Sequence, residues 1–87
     1  MNTREKLEEI GLGDIMLMDG YDKCLVGIVE RFGQTPIACY DKHKVYDQLK
    51  KEGMKEEYIE EWFYHNQLGA WVGDTTPCFL TLSENIF

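Results

Sequence analysis

Hydrophobic positions recur along this chain with two different periods, and each change of period marks a boundary between elements. Residues 24–32 alternate as a strand does: Cys24, Val26, Ile28 and Phe32 share one face, and Leu25, Gly27 and Val29 the other. Both faces are largely apolar at the start, which predicts a central strand. Gly33-Gln34-Thr35 then turns the chain into a second strand over 36–40. Pro36 is tolerated at its start, where no ladder N–H is needed. So short a connection predicts an antiparallel hairpin.

From Asp41 the period lengthens to that of a helix. Asp41 is a suitable N-cap, Val45, Tyr46 and Leu49 form the inward stripe, and Lys42, Lys44, Lys50 and Lys51 make the outer face basic. Gly53 ends this helix. A further helix is predicted from about Lys55 to Asn66, with Tyr58, Ile59, Trp62, Phe63 and Asn66 on one broad face. Glu56, Glu57, Glu60 and Glu61 fill the opposite face, and Gly69 suits the position just after the helix.

The ends carry weaker patterns. Thr3 is placed to cap a short helix through Leu7 and Ile10, stopped by Gly11 and Gly13. Ile15, Met16, Leu17 and Met18 read as either a short strand or a buried turn before Asp19-Gly20. Trp71-Val72 and residues 78–82 are strand material, separated by 74–77. The order is α-β-β-α-α-β with one further short strand. The expected fold is α+β: a small antiparallel β-sheet packed on one face by two amphipathic helices, plus a short N-terminal helix, in one domain over 1–87.

Composition narrows the function classes. Sixteen acids against nine bases give a net charge of −7. Binding phosphate directly needs clustered Lys and Arg, so the expectation is no direct nucleic-acid ligand, while a basic protein partner suits the charge. A plainer use of that charge is solubility. No apolar run approaches the roughly 20 residues needed to cross a bilayer. Residues 1–9 contain no signal-peptide core. The expectation is a soluble cytoplasmic protein without membrane association. A homo-oligomer would add burial, but a chain of this length does not require one.

Cys24, Cys39 and Cys78 are odd in number, lie in apolar runs and lack CxxC spacing. Reduced, mostly buried thiols are expected, with no disulfide framework, no metal site and no cofactor. Catalysis needs an activated nucleophile or an acid–base pair. The one serine, Ser83, is near the chain end, and Gly11-Leu12-Gly13 lacks the context of a phosphate-binding loop. Cys39 with His43, or Cys78 with His65, are the Cys–His pairs to consider. A non-enzymatic protein is expected.

Two surfaces are candidates for recognition. The acidic strip Glu56, Glu57, Glu60 and Glu61 could occupy a basic partner by presenting a row of negative charge; its plainer reading is a solvated helix face. Gln34, Tyr40, Asn66, Trp71 and Asp74 fall at element ends and could converge on a pocket. There Gln34 and Asn66 would read a ligand's polar edge and Trp71 would stack on it. In the plainer reading the two amides satisfy turn and helix-end groups and Trp71 fills the core.

The runs Gly27-Ile28-Val29-Glu30-Arg31-Phe32-Gly33-Gln34 and Gly69-Ala70-Trp71-Val72-Gly73-Asp74, with Tyr40, Gly53-Met54 and Asn66 between them, form a combined pattern over roughly residues 20–80. In this pattern the chain resembles a widespread group of small, uncharacterised proteins encoded by bacteriophages and prophages. Lys55 departs from it, standing where a small capping residue is expected. The resemblance implies a viral origin and supplies no activity. By analogy with that genomic setting, the leading expectation is an accessory protein that binds a host protein, as an inhibitor of host antiviral defence. The alternative is a small-molecule binder, such as a sponge for a nucleotide signal. A small Cys- or His-dependent enzyme ranks last.

Overall fold

Asp41 joins the two halves of the fold. In the computed structural model, which describes residues 2–68 and 73–87, it ends one strand and caps the helix that follows. Its carboxylate accepts from the backbone N–H groups of His43 (2.9 Å) and Lys44 (3.2 Å), satisfying two donors that a helix start leaves open. The elements are α1 (Thr3–Glu9), β1 (Leu25–Val29), β2 (Ile37–Asp41), α2 (Lys42–Lys51), α3 (Glu56–Phe63) and β3 (Cys78–Leu80). Short 3-10 turns cover Asp22–Cys24 and Ser83–Asn85, and a π-helical turn, Tyr64–Leu68, continues α3. The fold is α+β, as the two periods predict. None of the described helices is long and apolar enough to cross a membrane.

Ala38 and Tyr40 of β2 share one cluster with Val45 and Leu49 of α2 and Ile59 and Phe63 of α3. The helices therefore cover one face of the sheet. Phe63 is its aromatic centre: its ring meets Tyr46 at 5.2 Å, Phe79 at 4.8 Å and Tyr64 at 5.4 Å, all near perpendicular. On α3 only Ile59 and Phe63 are buried; Trp62 is half-buried, and Tyr58 and Asn66 are exposed. The inward stripe is thus narrower than the predicted face. Gly53, at φ +101°, closes α2, and Lys55 starts α3 without a side-chain cap.

Several expectations are corrected. The cap of α1 is Asn2, whose side chain accepts from Glu5 N at 2.8 Å, and Thr3 is the first helical residue. Ile10 points outward at 67% exposure. The 14–18 segment is coil, held by Arg4 donating to the carbonyls of Gly13 and Ile15 and by Met18 N donating to the Tyr40 hydroxyl. The first strand begins at Leu25 and is an edge; β2 is central in the order β1-β2-β3.

The β1 alternation also breaks. Leu25 pairs with Tyr40 and Gly27 with Cys39, so Val26 is an extra residue in a bulge. Beyond it the parity reverses, and Leu25 and Ile28 both pack on the core while Val26 is 49% exposed. Finally, the sheet is mixed. The β1–β2 hairpin is antiparallel as expected, but β3 lies parallel to β2. The crossover through α2 and α3 returns the chain to the same end of the sheet, which is what a parallel neighbour requires. The predicted Gly69 cap and Trp71-Val72 strand lie outside the described residues.

Candidate partner-binding surface

The start of α3 places its glutamates at exposed positions. Glu56, Glu57, Glu60 and Glu61 are all exposed. Glu56 faces Lys50 of α2 at 3.7 Å, with both side chains largely in solvent, so this pair fixes little. Glu56 and Glu57 also sit in the first helical turn, where the helix dipole favours negative charge. The strip is thus locally stable without a partner.

Beside it, helical spacing brings aromatics to the same surface. Tyr58, Glu61, Trp62, His65 and Asn66 line one shallow hollow. Positions 58, 61, 62 and 65 are three and four apart, which stacks them along one ridge of the helix. Tyr58 is 55% exposed and Trp62 half-buried, and both line the hollow with Glu61. The side-chain amide of Asn66 donates to the Trp62 carbonyl at 3.1 Å and so closes the helix end. This fits the plainer of its two readings.

On the other side of α3, Lys42 is held by aromatic rings. Its ammonium donates to the Tyr64 hydroxyl at 2.7 Å and lies 4.9 Å from the Tyr64 ring, 5.7 Å from Tyr46 and 5.8 Å from Phe63. The Tyr64 hydrogen bond, ahead of the opposing effect of burial, raises the Lys42 pKa. The Tyr46 hydroxyl is buried and makes no hydrogen bond of normal geometry among the described residues. Burial raises its pKa, while the nearby Lys42 charge lowers it. The sequence places Lys42 on the outer basic face of α2; in the structure it is half-buried instead, because Tyr64 arrives from the end of α3 to receive its ammonium.

The second candidate set does not gather. Gln34 is exposed in the β1–β2 turn, where its N–H donates to the Arg31 carbonyl at 3.0 Å. Asp74 is exposed in a separate turn. Tyr40, at 0% exposure, presents no surface to a ligand; its hydroxyl accepts from Met18 N at 2.8 Å. Asn66 lies in the α3 hollow with none of the others, and Trp71 is outside the described residues. Tyr40 is therefore a core post, because alternation along β2 aims it, like Ala38, at the helices.

The cysteines are free thiols, Cys24 and Cys39 buried and Cys78 half-buried. The Cys24 thiol donates to the Gln48 side-chain carbonyl at 3.4 Å. Cys39 is the ladder partner of Cys78 across β2 and β3. The two histidines considered with them lie elsewhere: His43 is on α2 with its ring 5.9 Å from Tyr46, and His65 is in the α3 hollow. Comparison of the chain with models of protein families, with curated protein sequences and with solved structures finds no match.

Proposed function

We propose that this chain is a non-enzymatic binding module that docks on a basic surface of another protein through the outer face of α3. The observation that carries this reading is the placement of Tyr58, Glu61 and Trp62 around one exposed hollow, with Glu57 exposed one turn before Glu61 and Glu56 and Glu60 exposed on the flank toward α2. An Arg or Lys side chain suits such a hollow: its cation lies over an aromatic ring while a carboxylate pairs with its charge. Aromatics at the centre and charge at the rim are also how protein interfaces divide affinity from steering. The net charge of −7 adds a long-range field of the matching sign. The resemblance to phage-encoded proteins extends the proposal: the partner is a host protein, and the setting is inhibition of host antiviral defence in the host cytoplasm.

The test is capture of a partner from bacterial lysate by the wild-type chain and by two variants whose circular dichroism matches it. Reversing Glu56, Glu57, Glu60 and Glu61 to Lys abolishes capture, and Tyr58→Ala weakens it. Association of wild type slows as salt rises, since exposed charges are screened beyond about 8 Å at physiological ionic strength. Capture that survives both charge reversal and high salt overturns the reading. Loss of capture in Gln34→Ala instead would move the site to the hairpin turn.

A further inference from the structure

The face of the sheet turned away from the helices carries a second kind of chemistry. Ala38 and Tyr40 point into the helix-covered core, so Cys39 between them points to the opposite face. On β3, Phe79 packs on Phe63 in that same core, so Cys78 points to the opposite face as well. Cys39 and Cys78 are direct partners in the parallel β2–β3 ladder. The two alternations and the register thus put both thiols side by side on that face.

We infer that Cys39 and Cys78 form a redox-responsive dithiol, which closes to a cross-strand disulfide by exchange with a low-molecular-weight disulfide of the glutathione class. Neighbouring strands lie about 4.8 Å apart, inside the window of roughly 4.4–6.8 Å between Cα atoms that a disulfide spans. β3 is an edge strand of three residues, so closing the bond asks for adjustment of one short strand. On the far side of Cys39 its β1 partner is Gly27, where an added Cβ would meet nothing within 4 Å. The pair is therefore not crowded from that side.

Exposure sets the order of events. Cys78 is half-buried and Cys39 only 5% exposed, so Cys78 meets the small disulfide first. Its thiolate attacks one sulfur, the S–S bond of the small molecule breaks, and one small thiolate leaves. A mixed disulfide now stands on Cys78. Cys39 gives up its proton and attacks the Cys78 sulfur, expelling the second small thiolate. Two protein thiols lose two electrons, one small disulfide gains them, and the two cysteine protons end on the two released thiols. Burial, then the Cys78 hydrogen bond, push the Cys39 thiol up to about 11, which suits it to the slower, resolving role. Cys24 is excluded from the exchange: it is 2% exposed and its thiol is engaged by Gln48.

The disulfide would enclose residues 40–77, and with them α2 and α3. It would join the edge strand β3 covalently to the central strand β2 and so close the loop that carries both helices, which constrains the opened chain.

Trypsin places the three cysteines in different peptides, 24–31, 32–42 and 56–87. The reduced full-length chain is incubated with oxidised glutathione, free thiols are alkylated, and the digest is mapped by mass spectrometry. The expected product links peptides 32–42 and 56–87, with the mass lowered by two hydrogens and Cys24 alkylated. In Cys39→Ser the exchange stops halfway, and Cys78 keeps one glutathionyl group. A link through 24–31, three alkylated cysteines, or a lasting glutathionyl group on wild-type Cys78 would each overturn the inference. The wild-type map decides the matter even where the serine variant fails to fold.

Discussion

The hydroxyl of Tyr40 accepts a hydrogen bond from the backbone N–H of Met18 at 2.8 Å, tying the central strand to a segment 22 positions upstream. Met18 packs against the core beside Leu17, and Arg4 holds the carbonyls of Gly13 and Ile15 a few residues earlier. With Gln48 donating to the Gly20 carbonyl at 2.7 Å, the irregular stretch between Gly11 and Tyr21 is held by three side chains rather than by a ladder. Tyr40→Phe keeps the ring and leaves Met18 N–H unpaired in a part-buried site. It is expected to cost about 1–3 kcal/mol of stability. Hydrogen exchange at Met18 checks the cause, and exchange unchanged from wild type would show that another acceptor takes the bond.

The aromatic centre gives a sharper ranking. Phe63 is fully buried and meets three other rings, so Phe63→Ala is expected to cost about 3–5 kcal/mol. Trp62 is half-buried in the α3 hollow, so Trp62→Ala costs less than this. Glu60→Ala falls within roughly ±0.5 kcal/mol, as a surface change does. Denaturant midpoints of the three variants decide the order. A Trp62 cost as large as that of Phe63 would mean the helix is rotated toward the sheet.

Asp41 supplies the helix cap from within β2. Asp41→Ala removes the acceptor for His43 and Lys44 N–H and is expected to cost about 0.5–2 kcal/mol. Asp41→Asn keeps a capping oxygen and recovers most of the loss. If Asn and Ala behave alike in urea titrations, the cap contributes little and the Asp charge or the strand end carries the effect.

Alkaline pH is expected to weaken the fold. Burial raises the pKa values of the Cys24 and Cys39 thiols and of the Tyr40 and Tyr46 hydroxyls, and the Tyr64 hydrogen bond raises that of Lys42. Each group holds its proton longer folded than unfolded. The stabilisation is therefore complete below the unfolded pKa and is lost as pH rises toward the folded value. Cys39 sets the window, from its ordinary value of 9.0 up to about 11. Chemical denaturation under reducing conditions should show a plateau below pH 9 and a fall above it. A curve flat through pH 11 contradicts this.

How much of this was legible depends on the range of the forces involved. Caps, turns and helix periods are local, so Asp41, Gly53 and the presence of a β1–β2 hairpin could be read from neighbours in the chain, although β1 ends at Val29 and leaves Phe32 exposed in the connection. The acidic face of α3 follows from the same local arithmetic, since the helix period fixes which residues share a side. Faces of β1 were read less well. Strict alternation assumes an unbroken ladder, and the extra residue at Val26 reverses it without changing composition. The predicted pocket of Gln34, Tyr40, Asn66, Trp71 and Asp74 assumed that residues at element ends converge. Convergence depends on which end of the sheet each element reaches.

The sequence by itself determined the α+β class, the hairpin, the two amphipathic helices with the Asp41 cap of the first, and an acidic helix face, because each rests on contacts within a few residues. The tertiary structure alone decided that β2 is central, that β3 runs parallel to it, that Tyr40 is a buried post and that Cys39 pairs with Cys78 in the ladder. Those outcomes follow from how the crossover through α2 and α3 buries Ile59 and Phe63 against the sheet. That packing is a balance over the whole core, and no single stretch of chain carries enough of it to be read alone.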